Sequence, residues 1–377
     1  MDNQINSERH GRDHILMATV FLLAGLGLVT LYSSSYAFAL RFFGNGLYFI
    51  SHQMKLGLAG LILFFIASVI DLEMIRKFIK PLVLGCIILC ALTFVPGIGV
   101  TKNGASRWIG FGFYTFQPSE LVKLVLPVYL AHILAKKKDD IDIVLRGLIP
   151  PALITGIFFV LIFLQNNIST AIFLAFNALF MFFLAGVKYR YFVSALLMFV
   201  PTATLLVLKK EHRVRRFLTY IQPEFEPLGA GYQVNASILS VSSGGFWGKG
   251  IGLGTRKISS VPEVHSDFIF SSFAEESGFL GVIIFCLLFV VFAVRGFKSS
   301  MGNENPFYRL LGCGLVTMIV SQVLLNIAVV SGALPATGIP LPFFSAGGSS
   351  LLTTLIMAGL ILNISRFSRK SSKAGEA

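Results

Sequence analysis

Apolar residues in this chain come in long unbroken runs, not in strand-like alternation or in the one-sided stripes of a surface helix. A membrane-spanning helix needs about 20 mostly apolar residues. Ten stretches meet or approach that length, with cores at 15–35, 54–71, 80–97, 118–135, 146–165, 168–187, 190–208, 267–294, 309–331 and 344–365. The pattern predicts an all-α polytopic membrane protein of about ten transmembrane helices. The fifth and sixth runs are separated only by Gln165-Asn166-Asn167 and form a tight hairpin. An even number of spans puts both termini on one side. The expected organisation is a leader over 1–14, one membrane domain over 15–366 that includes a large loop at 209–265, and a tail over 367–377.

Composition agrees. Of 377 residues, 55% are hydrophobic and 13% charged, against about 45–50% and about 25% for soluble domains. Too little charge remains to cover a soluble particle, and disordered or coiled-coil chains are excluded on the same numbers. The formal net charge is +13. The bases are scattered between apolar runs, which argues against nucleic acid, and they sort by side. With the N-terminus in the cytoplasm, inner segments hold Arg9 and Arg12, Arg76 to Lys80, Lys136 to Lys138 with Arg146, Lys188 and Arg190, Arg295 to Arg309, and Arg366 to Lys373. The short outer loops hold only Arg41, Lys55, Lys102 and Arg107, as the positive-inside rule predicts. Cys86, Cys90, Cys286 and Cys313 all lie in apolar runs and read as small apolar residues.

The 209–265 loop breaks the rule. It faces outward yet carries Lys209, Lys210, Arg213, Arg215, Arg216, Lys249, Arg256 and Lys257. Either it is a solvated basic loop or its cations meet an anion at the outer surface, for which Arg and Lys suit phosphate. Its Gly248-Lys249-Gly250-Ile251-Gly252-Leu253-Gly254 stretch fails the spacing of a phosphate-binding loop, so no nucleotide is expected. A second irregular segment, 332–350, is uncharged and rich in Pro and Gly. Such backbone at membrane depth must be buried in protein or line a wet cavity, so it reads as a partly embedded loop.

Charges within spans are functional candidates by default. Gln117-Pro118-Ser119-Glu120 opens the fourth span, with Lys123 three residues on from Glu120. At that spacing the two pair on one helix face, either as a self-neutralised structural pair or as the lining of a substrate cavity. Asp267 stands where the large loop meets the eighth span. It is either a helix cap or a general base at the membrane–water boundary. Glu275 and Glu276 lie two turns deeper, and one of them is expected to pair with Lys123.

Four blocks together resemble the SEDS (shape, elongation, division and sporulation) family of FtsW/RodA/SpoVE-like proteins. They are Arg107-Trp108-Ile109 with Gln117-Pro118-Ser119-Glu120 and Lys123; Gly244-Gly245 through Gly252; Pro262-Glu263 with His265, Asp267-Phe268-Ile269-Phe270, Glu275-Glu276 and Gly278; and Leu341-Pro342-Phe343-Phe344-Ser345 with Gly347-Gly348-Ser349-Ser350. Order and spacing fit over about 15–366, with a preference for the FtsW-like branch. One departure is Gln165-Asn166-Asn167-Ile168-Ser169-Thr170, where many members carry Gln-Pro-Asp-Leu-Gly-Thr.

The resemblance implies a ten-helix membrane domain and a peptidoglycan glycosyltransferase that polymerises lipid II, with the family's essential aspartate at Asp267 and its cavity pair at Glu120 and Lys123. Substrate-binding candidates are then Arg107, Glu120, Lys123, Arg213, Arg215, Arg216, Lys249, Glu263, His265, Ser345, Gly347, Gly348 and Ser349. Gln117, Pro118, Glu275, Glu276 and Pro342 are expected to shape the cavity. A departing pyrophosphate calls for Arg, Lys or a divalent cation (Mg or Mn), although no strong ligand cluster is evident. Implied partners are the nascent glycan strand, a class B penicillin-binding protein transpeptidase and other divisome or elongasome membrane proteins. The expected location is the bacterial inner membrane, at the division septum for an FtsW-like member. Rival readings are a lipid II flippase and a non-catalytic divisome scaffold.

Overall fold

A computed structural model describes residues 11–368 apart from 103, 113, 141–142, 195–196, 198–219, 221–229 and 255–265. The described elements are α1 (His14–Phe43), α2 (Tyr48–Ala67), α3 (Leu72–Lys77), α4 (Ile79–Leu92), β1 (Gly99–Lys102), β2 (Ala105–Phe111), β3 (Tyr114–Phe116), α5 (Pro118–Lys136), α6 (Ile149–Leu164), α7 (Ile168–Leu184), α8 (Ala230–Ser243), α9 (Ile269–Met301), α10 (Pro306–Val330) and α11 (Gly348–Ser365). Among the described residues, seven helical segments are long and apolar enough to cross a membrane: α1, α2, α5, the Val144–Leu164 segment containing α6, α9, α10 and α11. The shorter apolar α4 and α7 occupy the expected third and sixth runs. The expected seventh span, 190–208, lies almost wholly outside the described residues.

The helices sort by burial. In α5 and α10, 67% of the spanning window is buried, and in α11 78%. The corresponding share is only 17–22% in α2, α6 and α9. Glu120 and Lys123 of α5 and Gln322 and Asn326 of α10 are buried, the arrangement that intramembrane polar groups require. Close backbone approach seats α11 on α2. A Cβ on Gly359 would lie 2.4 Å from the Phe64 carbonyl oxygen, a small-residue contact typical of helices packed in membranes. One turn on, Asn363 Nδ2 donates to the Ala67 and Ile70 carbonyls at 2.9 and 2.7 Å, satisfying the end of α2.

One end of the bundle gathers the bases that the charge pattern places together. Asp13 caps α1 by accepting from the Leu16 N–H at 3.0 Å, and it pairs with Arg295 at 2.7 Å. Its own N–H donates to Ser365 Oγ at 3.3 Å. Arg76 donates to His132 Nδ1 at 3.1 Å and sits over the Phe307 ring. The start of α1 and the ends of α9 and α11 thus share one end.

Three features depart from the sequence expectation. The fold is not purely helical: β1, β2 and β3 form an antiparallel sheet in the order β1-β2-β3. Lys102 faces Ala105 across a two-residue connection whose Gly104 has φ +71°, and the underlying Asn-Gly pair is a strong hairpin signal. The third apolar run begins after a separate short helix, α3, capped by Asp71. And α9 is broken at Gly278 (φ 65°, ψ −168°).

That break exchanges hydrogen bonds with the glycine-rich segment after α8. Phe279 and Leu280 N–H donate to the Gly245 and Phe246 carbonyls at 2.9 and 3.2 Å. The Glu275 and Glu276 carbonyls accept from the Lys249 and Gly250 N–H groups, both at 3.0 Å. Four backbone groups beside the break are thereby re-paired, as buried backbone demands. A Cβ on Gly278 would lie 2.2 Å from Gly248 N, and one on Gly248 would lie 2.1 Å from the Glu276 carbonyl oxygen. Gly278→Ala should therefore lower the melting temperature of the detergent-purified protein. Gly85→Ala, in α4 with open space around it, should leave it unchanged or slightly raised, because Ala costs a helix about 0.5–1 kcal/mol less than Gly.

Candidate functional site

Asp267 lies in the turn before α9 and is half-buried. Phe268 holds the cap position of α9, one residue after Asp267. Ser266 Oγ donates to Asp267 Oδ1 at 3.2 Å. On the other side stands Gly338, where an added Cβ would lie 3.4 Å from Asp267 Oδ2. The carboxylate therefore faces the uncharged segment between α10 and α11.

That segment is embedded, as its composition predicts. Ile339, Leu341, Phe343 and Phe344 are all buried, and its backbone has no regular structure from 333 to 347. Side chains satisfy its polar groups. Asn326 Nδ2 bridges the Ile339 carbonyl at 3.0 Å and the Asp267 carbonyl at 2.9 Å. Gln322 Nε2 donates to the Pro340 carbonyl at 2.7 Å. Ser345 Oγ accepts from Leu341 N–H at 2.7 Å and donates to the Ser266 carbonyl at 2.6 Å. Gln53 Nε2 donates to the Ser345 carbonyl at 3.1 Å. Ser345 thus ties this segment to the residue before Asp267.

Glu120 and Lys123 pair as their spacing predicts, with Nζ 2.8 Å from Oε1. Both are buried, at 3% and 1% exposure. Lys123 also donates to Gln322 Oε1 at 3.2 Å and lies over the Phe173 ring. Pro118 opens α5, where its missing N–H costs nothing. Gln117 N–H donates to Ser349 Oγ at 3.2 Å, joining α5 to the start of α11. Gly347 caps α11, and Gly348 begins it against Leu56. Arg107, on β2, donates to the Asn166 carbonyl, so the sheet is tied to the α6–α7 turn.

The expected contact between Lys123 and the Glu275-Glu276 pair does not form. Glu275 is fully buried and instead pairs with Lys249 at 2.5 Å, with Ser240 Oγ donating to its other oxygen at 3.0 Å. Glu276 accepts from Ser33 Oγ at 2.6 Å. The break at Gly278 brings the glycine segment, and Lys249 with it, against α9. Lys249, expected as a substrate cation, is consequently neutralised by a buried carboxylate. Arg213, Arg215, Arg216, Glu263 and His265 lie outside the described residues.

Gln322, Asn326 and Gly338 were not singled out from the sequence. The signal is there: Gln322 and Asn326 are amides four residues apart in an otherwise apolar run, which places both on one helix face. Ca²⁺ takes six to eight oxygen ligands, whereas Mg²⁺ is held by one or two carboxylates together with substrate phosphates and waters. Among the described residues no three His, Cys, Asp or Glu side chains group to hold a metal ion. No step is derived through a metal ion.

The site therefore combines one half-buried carboxylate, a wall of held backbone and a neutralised buried pair beneath it. It can accept a proton from a bound hydroxyl. A family model described as cell cycle protein, FtsW/RodA/SpoVE, matches residues 13–370. A probable peptidoglycan glycosyltransferase FtsW of Geobacter sp. (strain M18) is 38% identical over 94% of this chain and 97% of its own length. Stage V sporulation protein E of Bacillus subtilis (strain 168) is 35% identical over 97% of this chain and 100% of its own. Among solved structures, a chain from a peptidoglycan synthase complex superposes with TM-score 0.78 at 30% identity, covering 94% of this chain and 98% of that one. The rod shape determining protein RodA of Thermus thermophilus gives 0.70 at 27%, covering 98% and 100%.

Removing one partner of a buried ion pair leaves an uncompensated charge and costs about 3–5 kcal/mol, whereas removing both costs far less. Lys123→Met alone should therefore destabilise the protein by about that much, and Glu120→Gln with Lys123→Met should recover most of the loss. Denaturant titration in mild detergent measures both.

Proposed function

The chain belongs to the FtsW/RodA/SpoVE family of cell cycle proteins, and from that membership and the site we infer that it is a multi-pass membrane peptidoglycan glycosyltransferase that polymerises lipid II. Asp267 takes the proton from the 4-hydroxyl of the acceptor N-acetylglucosamine. That oxygen attacks C1 of the donor N-acetylmuramic acid, the C1–O bond to undecaprenyl pyrophosphate breaks, and the configuration inverts. One displacement needs one base and a stabilised leaving group, not the close carboxylate pair of a retaining glycosidase. The observation that carries this reading is the Asp267 carboxylate, half-buried and turned to the uncharged wall at Gly338.

Arg107, Arg213, Arg215 and Arg216 are the cations assigned to the pyrophosphate; Lys249, held by Glu275, is not among them. Glu120 and Lys123 floor the cavity, with Gln117, Ser345, Gly347, Gly348 and Ser349 at its rim; Glu263 and His265 precede Asp267 in the chain. A polyprenyl tail must stay in lipid while its sugars stand in water, which explains why a transferase has this architecture.

The finer topology has ten spans, both termini in the cytoplasm, and the 209–265 loop outside. The meeting of Asp13, Arg295 and Ser365 at one base-rich end favours it. Asp267 then lies at the opposite, extracytoplasmic end of α9. The class B penicillin-binding protein remains the proposed partner, supported by the likeness to a chain of a peptidoglycan synthase complex. The division septum is the proposed location, in keeping with the FtsW relatives.

Loss of a general base costs about 10²–10⁴-fold in rate. With purified protein and labelled lipid II, Asp267→Ala should lower glycan formation by about that factor while leaving lipid II binding intact. Polymer formed at the wild-type rate would remove Asp267 from the base role. Lipid II crossing vesicles without any polymer would favour a flippase.

A further inference from the structure

We propose that Gln322 is a positioning residue: its amide, polarised by Lys123, holds the 338–341 backbone against Asp267. The inference rests on the reading of Asp267 as general base and adds to it the part that fixes the wall the base faces.

The argument begins with what each group can do. An ammonium only donates, so Lys123 must meet the amide oxygen of Gln322, and it does so at 3.2 Å. A carbonyl only accepts, so the Pro340 oxygen must meet the amide nitrogen, which it does at 2.7 Å. The two requirements agree, and the buried cation thereby sets which way the amide points. Glu120, 2.8 Å from Lys123, holds that ammonium in place.

Neither Pro340 nor Pro342 has an N–H, so this stretch of backbone cannot organise itself by regular pairing. Its hold comes from α10. Gln322 takes the Pro340 carbonyl and, one turn on, Asn326 takes the Ile339 carbonyl at 3.0 Å. Asn326 spans to Asp267 as well, through the Asp267 carbonyl at 2.9 Å. Gly338, next to this clamp, is the residue that faces the Asp267 carboxylate. The buried pair acts through Gln322 on the loop, and the loop on the place where the acceptor hydroxyl must sit.

The test keeps the net charge while removing the donor at 322, and Glu120→Gln alone is the control for the change at 120, expected to retain slower exchange over 333–347 than the double variant. In Glu120→Gln combined with Gln322→Glu, residue 322 still accepts from Lys123 but has nothing to donate to the Pro340 carbonyl. Gln322→Met, uncharged and of similar length, is the second variant. The readouts are lipid II polymerisation by the purified full-length protein, and hydrogen exchange of the peptide covering 333–347. We expect kcat to fall by about 100-fold, the scale of a small misplacement of reacting groups. KM for lipid II should stay within about twofold, since uniform binding is not the interaction removed. Exchange should quicken over 333–347 and stay unchanged over 118–136. A wild-type kcat, a rise in KM alone, or exchange that is unchanged over 333–347 or raised along the whole chain would overturn the proposal. Asp267→Asn is run in parallel. If it polymerises at the wild-type rate, the base assignment falls, while local exchange in the Gln322 variants still decides whether the clamp exists.

Discussion

The constraint on which the structure depends is that backbone N–H and C=O groups inside a membrane protein must be paired within the protein. Regular helix meets it for most of the chain. Among the described residues, two buried stretches do not have that solution, the break in α9 at Gly278 and the irregular chain from 339 to 345, and each is satisfied differently. At the break, four backbone groups of α9 pair with four of the glycine segment. In the irregular segment, side chains of α2 and α10 and the segment's own Ser345 meet the backbone of residues 339–345. An unsatisfied group at such depth costs several kcal/mol, so these partners determine where the backbone can be.

Asp267 stands against the second of these devices and just before the helix that holds the first. The broken part of α9 follows it by three turns, and the irregular segment provides its facing wall. Two interior ion pairs are matched close at hand: Glu120 with Lys123, and Glu275 with Lys249. Neutral pairs of this kind hold irregular backbone without leaving a net charge in the interior. A transferase acting on a lipid-borne sugar needs a site rigid enough to present a base.

Much of this was legible in the sequence, because apolar run length and base placement are strong one-dimensional signals. The runs at 15–35, 54–71, 118–135 and 309–331 fall on helices, and the i,i+3 spacing of Glu120 and Lys123 gave their pairing directly. The partner of Glu275 was not legible. It depends on a glycine with positive φ folding a distant loop back on α9, and helix geometry applied to 267–294 as one straight rod cannot anticipate that. The sheet was missed because Asn103-Gly104 lay in a stretch read only as a loop between spans. The roles of Gln322 and Asn326 were hidden because their partners are carbonyls, which carry no residue identity; a polar pair at i,i+4 in an apolar helix was the available clue.

The central claim is that the held wall at Gly338 to Leu341 presents Asp267 to the acceptor sugar. A structure of the full-length protein with lipid II and a short acceptor glycan tests it most directly. The account predicts the acceptor 4-hydroxyl within about 3.2 Å of an Asp267 carboxylate oxygen, with the Ile339 and Pro340 carbonyls still on Asn326 and Gln322. An acceptor hydroxyl seated on Glu120 or Glu275 instead, with Asp267 out of reach, would contradict it.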